Sequence, residues 1–573
     1  MKVAEYFIKY LEKIGVEFLF GVNGANIEEI YHASFTFGKK LKTILAKHEF
    51  GAYCMAEACS HLKGLGVVIT TSGPGEWNIV PGIAESYASN SPVLSIIGQP
   101  PSQLHGRGAF QDTSGINQTL NGDVILQTLG KKYFIHIQNA QEVPEHLYLA
   151  LCNLLSEPVG PAVIAINKEV FLGEIDDKDP FFFRLPKTHP LPLDKKLSST
   201  LQEISIYLKS MPKPNILIIG GRGVLRENCE NLFHELVSTL NAQFLTTSLA
   251  KALATKEKTH FLGTVGISAH ESINKVISSA DLILIVGSRL GVQTTIGIED
   301  ILKQKKVFYV NNEPSFFRMD DTNSYSVIGS IPETLKEMVK FFSTNKYPPH
   351  SFHKTIESEI KYKASFLKKE ETHFPLTFEN IFSTFKPMIE KDALIYVDAG
   401  NTGAAALHYL DCPSEGVFEI ALGMGGMGQA ICAGIGGAFV TGKKIYVFAG
   451  DGSALMNGLE MHTALEYDLP VVLVIFNNGG HAMCKTREKI FFNTEYNFDL
   501  FKHRVNFAKG FSELFPGLLG FNINNLSELK HAIHSSKDFK GPVCMDLTVS
   551  AEEIPPFLPF LKKLKPGEIH ERR

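Results

Sequence analysis

An aspartate and an asparagine, each flanked by glycine, carry the strongest chemical signal in the chain. Gly450-Asp451-Gly452 ends a β-rich apolar run over 444–449, and Asn477-Asn478-Gly479-Gly480 ends a second over 471–476. Between them, residues 454–467 place apolar side chains at helical spacing, and Pro470 closes that stretch. A strand–helix–strand unit crosses over right-handed, so its strands run parallel and finish on one side of a sheet. Asp451 and Asn478 then meet there, although residues 453–476 separate the two motifs. A carboxylate and an amide oxygen suit a hard divalent cation such as Mg²⁺, which commonly also takes phosphate oxygens. Gly450 and Gly452 let backbone approach a phosphate, and the N–H groups opening the next helix favour an anion. A turn with an Asp at a helix start explains either motif alone. The ordered run of strand, GDG, helix, strand and NN asks for a metal-diphosphate clamp.

The elements that must position this clamp lie along 573 residues, room for roughly two to four domains. With 44% hydrophobic and 20% charged residues, large buried cores are affordable. A net charge of −4 supplies no field for nucleic acid or an anionic membrane, and neither is expected as a partner. The eight cysteines lack CxxC spacing and sit mostly in apolar runs, as reduced thiols do. The first fifteen residues form an amphipathic, partly acidic helix rather than a signal peptide, and no apolar run is long enough to span a bilayer. A cytoplasmic protein is expected.

Alternating helical and β-rich runs predict three doubly wound α/β domains with parallel sheets, over 1–172, 194–345 and 376–555, followed by a tail over 556–573. Strands are expected at 18–22, 42–46, 66–71, 92–98 and 161–167 in the first domain. In the second they fall at 215–219, 243–247, 282–286 and 307–310, and in the third at 394–397, 444–449, 470–476 and 543–549. Linkers are expected over 176–193 and 344–375. The first and third domains share size and rhythm, as duplicated domains do. Gly220-Gly221-Arg222-Gly223 can cradle a nucleotide phosphate or be a plain turn, since the GxGxxG order is missing.

Four more segments bear on the clamp. Phe20–Ile27 reads FGVNGANI; Lys47-His48-Glu49 follows a strand and opens a helix; Thr71–Asn78 reads TSGPGEWN; and Gly423–Gly428 reads GMGGMG. With GDG and NN these resemble, in the expected order and over nearly the whole chain, the thiamine diphosphate (ThDP) enzymes, and closely their acetolactate synthase branch. Asn23 stands where the family has Pro. The resemblance implies that the first domain binds the pyrimidine and the third the diphosphate. Glu49, by itself a first-turn Glu that suits the helix dipole, would be a buried acid against N1′ of the cofactor. Pro74 and Asn78 would line the pyrimidine site, Gly425 would offer its carbonyl to the 4′-amino group, and Met427 would lie under the bent cofactor. Asp451, Asn478 and the Gly480 carbonyl would hold Mg²⁺. Gly450, Gly452, Ser453, Gly400, Asn401 and Thr402 would meet the diphosphate, with His481 and Met483 beside it. Asn401 and Thr402 replace the family's Gln and His. Glu49 would act on a cofactor whose metal the partner subunit holds, so a homodimer is the minimum and a homotetramer the usual assembly.

The same resemblance bears on the reaction. Phe110 and Gln111 match the family's acceptor loop, as an apolar wall and a hydrogen-bonding group. The decarboxylase branch uses a His-His pair and a Glu to protonate the enamine; here that Glu position is Cys484, and His105 has no neighbouring His in sequence. The expectation is a carboligase that decarboxylates a pyruvate-like 2-oxo acid and adds the enamine to an aldehyde or 2-oxo acid. The alternatives are a 2-oxo-acid decarboxylase, a 2-hydroxy-ketone lyase or a non-catalytic regulatory subunit. Arg487, replacing a family Trp, and Arg107 are candidates for a substrate carboxylate. The 286–291 segment lacks the acidic pair of flavin-binding synthases, so FAD is not expected.

Overall fold

The computed structural model describes residues 1–255, 260–269, 272–318, 323–344, 376–494 and 498–557. The expected second linker and the C-terminal tail lie almost wholly outside these residues. Three six-stranded sheets, every pairing parallel, form the three α/β domains. Their strands fall within 18–167, 216–328 and 394–548.

With strands numbered from one within each sheet, the first and third sheets share the order 2-1-3-4-6-5. This identity of topology gives physical substance to the similarity of their sequence rhythm. The central sheet runs 3-2-1-4-5-6, the order of dinucleotide-binding folds. The central strands of all three sheets are continuous apolar runs buried on both faces, as in Gly66–Thr71, Leu282–Val286 and Val471–Asn477.

The expected strands are present, with ends shifted by a residue. Five strands were not expected: Tyr133–Ile137, Phe261–Thr264, Ser324–Ile328, Val417–Ile420 and Leu519–Ile523. All five are sheet edges. An edge strand buries one side only, so its sequence is mixed and its apolar run short. The single helix expected over 454–467 is instead broken into Asp451–Asn457, the 3₁₀ turn Gly458–Glu460 and Met461–Glu466. Gly458 sits where the chain bends, with the Phe511 ring 2.8 Å from where its Cβ would be.

One apolar core is shared by the first and third domains. It gathers Phe20, Ile44, Met55 and Val68 with Ile431, Ile435, Val447 and Leu473. At its centre helix Glu49–Lys63 lies against helix Gln429–Thr441. Small residues make this approach possible. A Cβ on Gly436 would lie 2.5 Å from the Met55 carbonyl oxygen, and one on Gly437 2.5 Å from the Tyr396 hydroxyl. Gly436→Ala is expected to destabilise the protein by about 1–3 kcal/mol through overpacking against backbone that cannot yield. Equilibrium urea unfolding, with unchanged m-value, is the measurement.

Candidate active site: a metal-diphosphate clamp and the domain that faces it

Strands Leu394–Val397, Ile445–Gly450 and Val471–Asn477 are neighbours in the third sheet, and their C-terminal ends carry the candidate clamp. Asp451 opens a helix with Gly450 as its N-cap, and it is buried. Its Oδ2 accepts the N–H groups of Gly479 and Gly480 at 2.7 and 3.0 Å, and its Oδ1 accepts that of Gly452 at 3.0 Å. Burial pushes the Asp451 carboxyl above its usual range, while these main-chain donors pull it back. Asn478 Oδ1 accepts from Gly480 N–H at 3.1 Å, so it is turned into the same loop. Asp451 and Asn478 therefore meet, as the crossover argument requires.

The surroundings fit a metal and a diphosphate. Among the described residues no cluster of three or more His, Cys, Asp or Glu is placed to hold a metal. A lone buried carboxylate with an amide oxygen suits Mg²⁺, which takes few protein ligands and relies on phosphate and water for the rest. Gly400, with φ +93°, caps helix Asn401–Tyr409, and a Cβ there would meet open space. The buried Asn401 side chain has neither its oxygen nor its nitrogen hydrogen-bonded among the described residues. A buried amide without partners asks for a polar ligand. Thr402 and Ser453 are buried beside these turns. At Gly452 a Cβ would lie 2.8 Å from the His481 ring and 3.2 Å from Met427 Cε, so Gly452, Met427 and His481 converge. Gly425, at φ +73°, faces open space. Met483 is half-buried in the next helix, Ala482–Arg487.

The first domain brings together a second set. Glu49 begins helix Glu49–Lys63, and its Oε2 accepts from Asn78 Nδ2 at 2.8 Å. Gly75 lies beneath it, a Cβ there being 3.3 Å from Glu49 Oε1. Pro74 starts helix Pro74–Asn78 after Gly73, whose φ is +65°. In the single chain Glu49 is half-buried, at the C-terminal edge of its own sheet. Phe50, next to it, reaches to 3.2 Å from where a Gly426 Cβ would be. Gln111 adopts φ +61°, a strained value for a residue with a side chain. It is held there by Thr71 Oγ1, which donates to Gln111 Oε1 at 2.8 Å, and by Ser72 Oγ, which donates to its carbonyl at 2.9 Å. Phe110 is 76% exposed. Arg107 is exposed, and Arg487 lies over the Phe491 ring at 5.5 Å.

Several functional-looking groups escaped the sequence reading. Glu460 Oε1 and Oε2 each lie 3.1 Å from the Lys47 N–H, tying the turn before Glu49 to the third domain. Asp398 Oδ2 accepts the Gly428 N–H at 2.5 Å, and burial raises its carboxyl to about 6. His136 lies beside His105, ring centroids 5.8 Å apart, a pairing that no adjacency in sequence announces. Its nitrogens face Asp123 and Asn167 at 2.8 and 3.0 Å, so the pair is engaged within the domain. Glu76, fully buried in the segment 71–78, accepts from Gln99 Nε2 at 3.0 Å, and Gln99 in turn accepts from Thr113 Oγ1 at 2.7 Å. Asp398, at the end of the apolar run 394–397, carries a signal in the sequence; Glu76, Glu460 and His136 carry none, because their partners lie far along the chain.

Desolvation raises the Glu76 carboxyl to about 7. The folded chain thus keeps a proton that an unfolded Glu has lost above about pH 4.3. Stability falls as pH rises from about 4.3 through 7 and levels off beyond. Glu76→Gln is expected to be more stable than the parent by about 1–3 kcal/mol near pH 8, the difference shrinking towards pH 4. Urea unfolding across that range measures it.

Family comparisons agree with this layout. The model of the thiamine pyrophosphate enzyme N-terminal TPP binding domain matches residues 1–119, the central domain model 201–338 and the C-terminal TPP binding domain model 398–547. The chain is 26% identical to a probable acetolactate synthase large subunit of Methanocaldococcus jannaschii, over 98% of this chain and 94% of the relative. It is 26% identical to the acetolactate synthase large subunit of Haemophilus influenzae, over 96% and 95%. To that of Pyropia yezoensis it is 24% identical, over 94% and 90%.

Proposed function

Because the chain belongs to the thiamine pyrophosphate (ThDP) enzymes and is acetolactate synthase-like, we propose that it is a Mg²⁺-dependent carboligase. Its donor is a pyruvate-like 2-oxo acid, which loses CO₂, and the remaining fragment is joined to an aldehyde or a second 2-oxo acid. The observation that carries this reading is the convergence of the turns at Gly400, Gly425, Gly450 and Asn478 on one sheet edge, beside a buried Asn401 without partners. ThDP, when bound, supplies the nucleophilic carbon and the electron sink for decarboxylation.

The chain's own residues bind, orient and move protons. Asp451, Asn478 Oδ1 and the Gly480 carbonyl hold Mg²⁺. The Ser453 N–H, the backbone of Gly452 and the turn Gly400–Thr402 would receive the diphosphate. Met427 would support the cofactor, and the Gly425 carbonyl would accept from its 4′-amino group. Glu49, oriented by Asn78, exchanges a proton with N1′. Gln111 Oε1 is committed to Thr71, which leaves its amide NH₂ as the donor towards a substrate carbonyl. Phe110 walls the acceptor, and Arg487 or Arg107 pairs with a substrate carboxylate.

Carboligation is favoured over simple decarboxylation because Cys484, an exposed thiol, stands where the decarboxylase branch has its proton donor. His136 of the His105–His136 pair is held by Asp123 and Asn167 within the first domain. Two or more subunits are required in this reading, since Glu49 is half-buried. Exposed apolar side chains at Phe110, Ile116, Leu120 and Val124, and at Leu455, Met456 and Leu459, support covering by a second copy. FAD is not part of the proposal. Arg222 fills the third position of the central domain's glycine turn, and its Nη1 donates to Glu419 Oε2 at 2.8 Å.

Mass spectrometry of products from pyruvate with a panel of aldehyde and 2-oxo-acid acceptors tests the reading. Coupled hydroxy ketones or 2-hydroxy-3-oxo acids are expected; free aldehyde alone, from every donor, overturns carboligation. Asp451→Asn, which keeps an acceptor for the Gly479 and Gly480 amides, is expected to remove most of the Mg²⁺-dependent part of ThDP binding in calorimetric titration, with the apo fold checked by circular dichroism.

A further inference from the structure

Two buried acids of the first domain, Glu57 and Glu85, belong to none of the roles above. Glu57 stands on helix Glu49–Lys63 and Glu85 on helix Val80–Ser89; they are 2% and 5% exposed. An acid so deeply buried is costly unless it is hydrogen-bonded or neutral. Glu85 finds its partners across the domain boundary. Its Oε1 accepts the Gly423 N–H at 3.0 Å, and its Oε2 accepts the Met424 N–H. Gly423 has no room to be anything larger, since a Cβ would lie 2.1 Å from Glu85 Oε1. Glu57 Oε2 accepts from Gln429 Nε2 at 2.9 Å, and its Oε1 accepts from the Ser86 and Ser89 hydroxyls at 3.2 and 2.9 Å.

These contacts grip the segment 423–429 at both ends. From within the third domain, Asp398 takes the Gly428 N–H, and Asn457 Nδ2 donates to the Met427 carbonyl at 2.9 Å. The stretch between is glycine with exposed Met424 and half-buried Met427; Gly425 is at positive φ with nothing packed on it, and Gly426 has only the Phe50 ring close by. Apolar burial therefore does little to fix its course, and charge-assisted hydrogen bonds to its backbone must. Arg222 of the central domain lines the same cavity as both carboxylates, and its charge favours their ionised forms, so all three domains meet at this point.

We propose that Glu85, backed by Glu57, is a positioning residue: it sets the path of the Gly425–Met427 segment so that the carbonyl of Gly425 and the side chain of Met427 meet the cofactor. The proposal rests on the ThDP reading above. It assigns the first domain of a chain a second task, bracing that same chain's cofactor loop, besides presenting Glu49.

The test is titration of ThDP, with Mg²⁺ present, into the full-length protein. Binding is followed by the fluorescence of Trp77, the sole tryptophan, and by near-ultraviolet circular dichroism of the bound ring. If the wild type fails to bind ThDP, the cofactor reading itself is wrong. If the wild type binds, Glu85→Ala and Gly423→Ala are each expected to raise the Kd by roughly tenfold or more. Glu85→Gln, which keeps one acceptor oxygen, should fall between. Because both alanine changes act on one contact, the double variant should bind no worse than the weaker single. Should Glu85→Ala not fold, Glu85→Gln and Gly423→Ala carry the same comparison. Wild-type affinity and an unchanged dichroism band in these variants, or strictly additive losses, would overturn the proposal.

Discussion

The close approach of helix Glu49–Lys63 to helix Gln429–Thr441 is the contact on which the rest of the molecule depends. Glu49 opens the first helix, and the loop with Gly425 and Met427 runs directly into the second. A shift between the helices would displace the candidate proton-transfer acid relative to the candidate cofactor support. Gly436 lets backbone meet backbone there, with Met55 beneath it, and no larger residue keeps that spacing. The shared apolar core around this pair makes the first and third domains one mechanical unit, while the central domain keeps cores of its own.

Onto this frame the chain adds buried acids whose partners are mostly main-chain N–H groups. Asp398, Asp451, Glu85 and Glu460 each take one or more amides from a neighbouring loop. Side chains are thereby used to hold backbone, and backbone is what the proposed site offers: N–H groups for a diphosphate, and carbonyls for a metal and an amino group. Preorganised dipoles of this kind act without reorganising when a charged ligand arrives. Their cost is visible in Asp398, which holds the Gly428 amide and whose carboxyl burial raises to about 6.

Much of this was readable from sequence, for identifiable reasons. Interior parallel strands are apolar throughout and end in glycine or polar turns, so Gly66–Thr71, Leu282–Val286 and Val471–Asn477 stood out. The Asp451 and Asn478 pairing followed from crossover geometry alone. The edge strands did not stand out, because Tyr133–Ile137 and Leu519–Ile523 are short and half-covered. The broken helix after Asp451 was hidden because Gly458 is small enough for a helix and marks a bend only once Phe511 is beside it. Glu85 was invisible as a functional residue: its partner amides lie in another domain, and a backbone N–H leaves no trace in residue type. Glu49 and Asn78 were found separately; only the fold joins them by a hydrogen bond.

The central claim is that Glu49 of one copy of the chain and the Asp451 clamp of a second copy act on one cofactor. Exchange of the C2 proton of bound ThDP for deuterium, followed by NMR in wild type and Glu49→Gln, tests it most directly. The account predicts that Glu49→Gln still binds ThDP and Mg²⁺ but exchanges roughly a hundredfold more slowly or worse. Exchange as fast as in the wild type, with the cofactor bound, would contradict it.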